Sequence, residues 1–304
     1  MDSLESIIDD EDLALLQVAL GDNTKSTGNL HEAEKQFCQA ANIFRVQKNY
    51  NYVVLLRKLG NIMVAKGNLY DAMVLFVKCS NLIRKYLNYD HQNETLLNDN
   101  AAIIENIGHI HQVKGQFNKA LEHYRNASNI LRLLIAKNDA NMKFKINLSI
   151  LYERIGQIIQ WQGDFPTALS YYFKKLELSK IIFEIKQSVE HKNDLAIAHT
   201  KIAFLFQQEG NYDKALNYWN IAKHLLHEIL ELVPSQEFFQ ANLASVYSNM
   251  SDIYLLKEDG LNTLKYIEKD IEISQNLINI TPNNEKLYFN LAVAYSKMGF
   301  VIYL

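Results

Sequence analysis

Proline is nearly missing from this chain. Three prolines and eleven glycines in 304 residues exclude a loop-rich β protein and a Pro-rich or Gly-rich spacer. Two cysteines, Cys38 and Cys79, cannot build a disulfide framework, and no CxxC pair activates either thiol. Both fall in amphipathic patterns, where a free cysteine behaves as a small hydrophobe. A formal charge of −3 supplies no dominant basic face, so nucleic acid is not the expected ligand. No apolar run approaches the roughly 18 residues of a membrane span. The start, "MDSLESIIDDEDLALL", has neither the basic nor the apolar region of a signal peptide, which points to the cytoplasm. HExxH, GxSxG, phosphate-cradling glycine loops and paired carboxylates with a histidine are all absent. The chain reads as no enzyme, with no cofactor.

What is present is a repeat. Small residues stand at Gly21, Gly60, Gly108, Gly156, Ala203, Ser251 and Gly299, separated by 39, 48, 48, 47, 48 and 48 residues. Seven residues after each of the first six come Gly28, Gly67, Gly115, Gly163, Gly210 and, as the one departure, Glu258. Five further on stand Ala33, Ala72, Ala120, Ala168, Ala215 and Thr263. Four beyond these are Phe37, Phe76, Tyr124, Tyr172, Trp219 and Ile267.

Each column has a mechanical reason. A glycine inside a helix costs about 1 kcal/mol relative to alanine, a cost that fits a place where a neighbouring helix packs close. The second glycine ends a helix, since it enters the left-handed C-cap conformation without strain. The Asn or Asp that often follows suits the next N-cap. Alanine lets the second helix approach the first, and the aromatic one turn later fills the space between repeats. Apolar residues recur at three and four, as in "LSYYFKKLELSKIIF", so both elements read as amphipathic helices. Pro166 opens a second helix, where its missing N–H is harmless.

This pattern resembles the tetratricopeptide repeat over essentially the whole chain. The resemblance implies an all-α fold, a right-handed α-solenoid of antiparallel helix pairs with about six and a half repeats. As one domain over 1–304, the repeats fall at approximately 11–48, 50–91, 94–138, 141–189, 192–233 and 235–281, with a half-repeat at 284–304. The period exceeds the family's usual length by about fourteen residues, which lengthens each helix to about 20 residues, near 30 Å. Long repeats of this kind are similar to those of prokaryotic multidomain signalling and defence proteins. The half-repeat ends on Phe300, Val301, Ile302 and Leu304 with no second helix to cover it. The segment Phe300–Leu304 therefore reads either as the point where a longer protein was cut or as a self-association or docking surface.

The resemblance also implies where binding occurs. In such arrays the first helices line a groove, at positions six and three before, and one, four and five after, the small residue. Here those positions include Asn61, His109, Gln157, Gln160, Trp161, Phe204 and Gln207. Amides hydrogen-bond a peptide backbone without demanding ligand charge, and large open aromatics are typical interface anchors. Some family members hold a partner's C-terminal carboxylate at fixed positions. Arg57, Asn61, Asn106 and Arg154 occupy four of those five places, with Ile150 at the fifth. Glu105 and Glu153 lie nearby, so solvated ion pairs, Arg57 with Glu105 and Arg154 with Glu153, are the alternative. His109 and His111 lie two apart, about 200° around a helix, and cannot share a metal ion. His109 is expected to face the groove and His111 to pack inside. The expected function is a non-enzymatic protein-interaction module that binds a peptide or helix of a protein partner, without nucleic acid, membrane or metal. The alternative is the sensor or scaffold part of a larger signalling or defence protein.

Overall fold

The computed structural model describes residues 9–303, so most of the acidic leader and Leu304 lie outside the described residues. Among these, thirteen helices and no strand occur: α1 (Asp10–Ser26), α2 (Leu30–Val46), α3 (Asn51–Ala65), α4 (Leu69–Tyr89), α5 (Glu94–Val113), α6 (Phe117–Lys137), α7 (Met142–Trp161), α8 (Phe165–Ile185), α9 (Val189–Gln208), α10 (Tyr212–Leu232), α11 (Glu237–Leu256), α12 (Gly260–Ile280) and α13 (Glu285–Tyr303). From α4 to α12 every helix has 20 or 21 residues. The chain is an α-solenoid of antiparallel helix pairs. It divides into two compact bodies, Met1–Asn147 and Leu148–Leu304, with the division inside α7. Within each body consecutive helices pack together, and first helices of neighbouring repeats also touch, α3 with α5 and α9 with α11. No helix among the described residues is long and apolar enough to cross a membrane.

The turn within each pair is a short, fixed device. Gly28, Gly67, Gly115, Gly163 and Gly210 take φ between 71° and 83°. The amide of the next residue then bonds back to a carbonyl five residues earlier, as Asn68 to Met63 and Asn211 to Phe206, both at 2.8 Å. That same residue caps the following helix: Asn29, Asn68, Asp164, Asn211 and Asp259 each accept from the amide three residues on. Glu258, the departure in the glycine column, adopts φ 58° and keeps the turn, with Asp259 N–H to Tyr254 O at 2.9 Å. A side chain there is held against a steric penalty of roughly 1–2 kcal/mol. Part of this is recovered in the unfolded state, where glycine has more freedom to lose. Glu258→Gly is therefore expected to stabilise by about 0.5–1 kcal/mol, read as a higher melting temperature; a drop would show that the Glu258 side chain itself holds the turn.

The small and aromatic columns meet. A Cβ built on Gly21 or Gly60 would sit 2.5 or 2.4 Å from the ring of Phe37 or Phe76. On Gly108 or Gly156 it would sit 2.8 or 2.7 Å from the ring of Tyr124 or Tyr172. The ring sixteen residues on thus seats against bare backbone, and a side chain at any of these four glycines would force the ring to move; in the fifth repeat the pair is Ala203 with Trp219. Where the later residue is the smaller Ile267, the first position carries Ser251. At Gly299 a Cβ would meet nothing within 4 Å, and Phe300 and Ile302 are exposed. The alanine column is fully buried, and Thr263 fits into it by bonding its hydroxyl to Asp259 O at 2.7 Å. Of the two cysteines, Cys79 is buried, its Sγ 3.5 Å from Val53 O and its thiol pushed up to about 12 by burial. Cys38 is exposed and so does not act as the small hydrophobe expected of both: it follows Phe37 by one residue and points away from the seam.

Candidate functional site

In the C-terminal body the first helices α7, α9 and α11 enclose a cleft of about 380 Å³. Its walls combine the exposed rings of Trp161 and Phe204 with Gln157, Gln160 and Thr200, and Trp219 and Leu226 of α10 lie beneath. The groove positions six and three before and one after the small residue thus converge here, because α9 presents Ile197, Thr200 and Phe204 at helical spacing. Trp161 is 55% and Phe204 37% exposed, so both rings are open to a ligand.

Lys201 is the one charged side chain in the lining. Its ammonium lies 3.5 Å from Glu153, which also meets Lys175 at 2.9 Å. Burial alone would push the Glu153 carboxyl up, but these two ammonium groups outweigh it and hold it below the ordinary carboxylate range. Lys201 stands two before its small residue, as do Lys58 and Lys297. Each reaches a carboxylate on the preceding first helix: Lys58 pairs with Asp22, and Lys297 with Asp252 at 2.5 Å. The column acts as a latch between adjacent first helices.

Amides dominate the remaining walls. Asn193, Asn242 and Asn249 join the two glutamines, and Asn242 Nδ2 donates to Asn193 Oδ1 at 3.3 Å. None of these three asparagines, nor Lys201, stands at the five groove positions chosen from the sequence. Asn193 and Asn242 carried one signal, recurrence: Asn147 bonds Asn98 at 2.9 Å with the same 49-residue separation in the N-terminal body.

The glutamines four after the small residue have a partner inside their own repeat. Tyr124 Oη donates to Gln112 Oε1 at 2.6 Å, Tyr172 Oη to Gln160 Oε1 at 2.7 Å, and Trp219 Nε1 to Gln207 Oε1 at 3.2 Å. Gln160 reaches the cleft lining, whereas Gln207 does not. Arg57 and Asn61 are half-buried on α3, and Asn106 and His109 are half-buried on α5, all in the N-terminal body; Arg154 lies in the other. The Glu153 partners, Lys175 and Lys201, were not among the expected ones. His111 is half-buried rather than inside: its ring stacks on His123 with centroids 5.3 Å apart, and Nδ1 lies 2.6 Å from Gln116 Oε1. The stack arises because α5 and α6 cross there, beside Gly108. No group of three or more His, Cys, Asp or Glu side chains is placed to hold a metal among the described residues.

No protein-family model and no curated protein matches the chain. Solved structures do. BtubC (BKLC) from P. vanneervenii is 15% identical, with a TM-score of 0.61 over 87% of this chain and 92% of that one. A Signal Transduction ATPase with Numerous Domains protein with a tetratricopeptide repeat sensor, from Pyrococcus horikoshii, is 16% identical with a TM-score of 0.67 over 94% of this chain. The chain spans only 42% of that protein's length. A protein from Podosopora anserina with nearly identical TPR-like repeats is 15% identical, with a TM-score of 0.50 over 71% of this chain and 96% of that one. Together with the glycine–aromatic columns, these likenesses give the chain the fold of a tetratricopeptide-repeat solenoid, built here on a period of 48 residues.

Proposed function

We propose that the chain is a non-enzymatic, cytoplasmic interaction module that holds an extended peptide of a protein partner in the α7–α9–α11 cleft. The observation that carries this reading is the wall chemistry: five amides, one lysine and two open rings around one cavity. Amides can both donate to and accept from a peptide backbone, and Trp161 and Phe204 offer apolar area at low entropic cost. Gln157 and Gln160 act with them. Arg57, Asn61, Asn106, His109, Arg154 and Gln207 are secondary candidates along the first helices. The likeness to a protein with a repeat sensor supports a second reading, in which this array is the sensing or scaffold region of a larger signalling or defence protein.

Photo-crosslinking from Gln157, followed by peptide mapping of the captured partner, tests the cleft. Trp161→Ala with Phe204→Ala is expected to weaken capture roughly tenfold or more, since anchor residues commonly contribute at least 1–2 kcal/mol. Helicity and melting temperature should stay within a few degrees, because both rings are exposed. Undiminished capture by a folded double variant would rule out this cleft.

A further inference from the structure

The C-terminal body has a second cleft, of about 190 Å³, between α11 and α13 with α12 as its floor. Its floor departs from the repeat. On the other second helices the positions of Asp270 and Ser274 carry Ala40 and Phe44, Cys79 and Ile83, Ala127 and Leu131, and Ala222 and Leu226, all buried and apolar. Asp270 is itself only 5% exposed and Ser274 2%. The one other repeat with a charge here carries Lys175 and Ser179, and its lysine has a carboxylate at 2.9 Å. Asp270 has no such counterpart. Its carboxylate accepts from Ser274 Oγ at 3.2 Å, with Ser248 also acting on it, and it forms no ion pair among the described residues. Lys297, a cation that acts on it, has its ammonium on Asp252 and Ser248.

A buried carboxylate met only by hydroxyls is poorly compensated, and here burial raises its proton affinity. It is also the one ionisable group lining the cavity. Around it, the Ser274 hydroxyl supplies a further acceptor, the Ser248 hydroxyl keeps one lone pair beside its bond from Lys297, and Leu277, Leu287 and Val293 form an apolar wall. One carboxylate and two hydroxyls match the three donors of a primary ammonium, and the apolar wall matches a short aliphatic stem.

We propose that this second cleft binds a primary ammonium group carried on a short aliphatic chain, which pairs with Asp270. The ammonium belongs to a free alkylamine or to a lysine side chain, and the cavity chemistry is common to both. The inference does not rest on the peptide reading of the first cleft, since Trp161 and Phe204 take no part in this cavity.

Calorimetric titration of the full chain tests it, with n-butylammonium chloride, n-butanol and sodium chloride as separate ligands. The peptide acetyl-Gly-Lys-Gly-amide and its norleucine counterpart form a second arm. Butylammonium should bind, while butanol and sodium chloride should not. Asp270→Asn, which keeps the shape, should weaken binding roughly ten- to hundredfold, the loss of a charge-assisted hydrogen bond. Ser274→Ala should give a smaller loss and serves as the second variant should Asp270→Asn misfold. Tighter binding of the lysine peptide assigns a side chain as the source; tighter binding of butylammonium assigns a free amine. The Trp161→Ala, Phe204→Ala double variant should respond to amine like the unaltered protein. No heat with either amine, an equal response to butanol or salt, or an unchanged affinity in Asp270→Asn would overturn the proposal.

Discussion

Glu153→Ala is expected to destabilise the protein by about 3 kcal/mol. The reason lies with the residue left behind: Lys175 is 3% exposed, and Glu153 at 2.9 Å is its direct counter-ion. Removing one partner of a buried pair strands a charge in the interior, typically at a cost of about 3–5 kcal/mol. The lower end applies because the Glu153 side chain is itself 28% exposed. Lys175→Met should recover most of the loss in the double variant, since the other second helices carry a small or apolar side chain at that position in four of five cases. A pH series separates charge from packing. The folded-state Glu153 carboxyl titrates below its ordinary value of 4.5. Its contribution is therefore complete above that value and is lost as pH falls through the lower, folded value. The melting-temperature gap between the unaltered protein and Glu153→Ala should hold from neutral pH down to the ordinary carboxylate value and close in stronger acid. A gap independent of pH would show that the effect is lost packing alone.

Gly60→Leu is expected to cost about 3 kcal/mol, the upper end for overpacking a filled interior. Even alanine is too large there: its methyl would sit 2.4 Å from the buried Phe76 ring. Alanine gains about 1 kcal/mol in helix propensity over glycine, so Gly60→Ala weighs that gain against displacement of a fully buried ring. The displacement should win, leaving a net loss of about 1–2 kcal/mol. Pairing Gly60→Ala with Phe76→Leu should restore part of it, on the pattern of Ser251 with Ile267. Chemical denaturation of the single and double variants gives the coupling. Strict additivity would mean that the ring and the glycine do not form one lock.

Much of this was legible in the sequence because a repeat compares each position with itself. The glycine and aromatic columns located the seam and the turns, and Glu258 marked its own departure. The engaged glutamines were legible too, but by a comparison across two columns. Gln112, Gln160 and Gln207 accompany Tyr124, Tyr172 and Trp219, rings with a polar hydrogen, whereas Lys25, Val64 and Leu255 accompany Phe37, Phe76 and Ile267. Position suggested ligand contact for Gln160 and Gln207; the chemistry of the paired ring adds a bond to each amide oxygen within its own repeat. Lys175 and Asp270 were visible as charged members of an otherwise small, apolar column. Their partners were not, because Glu153 and Ser248 come from other helices and pairing across helices depends on packing. Lys201 and the asparagines of the cleft likewise gain their meaning only when three first helices converge.

The three-residue turn has a consequence for how such a chain can lengthen or shorten. At Asn68, Asn211 or Asp259 one residue finishes the preceding helix and begins the next. A single added codon there would misalign two helices at once. The links between hairpins, such as 90–93 or 233–236, carry no such double duty. Splicing in a whole hairpin at those links leaves every large side chain seated on the small residue of its own repeat, so the natural step of growth or loss in this architecture is a complete period.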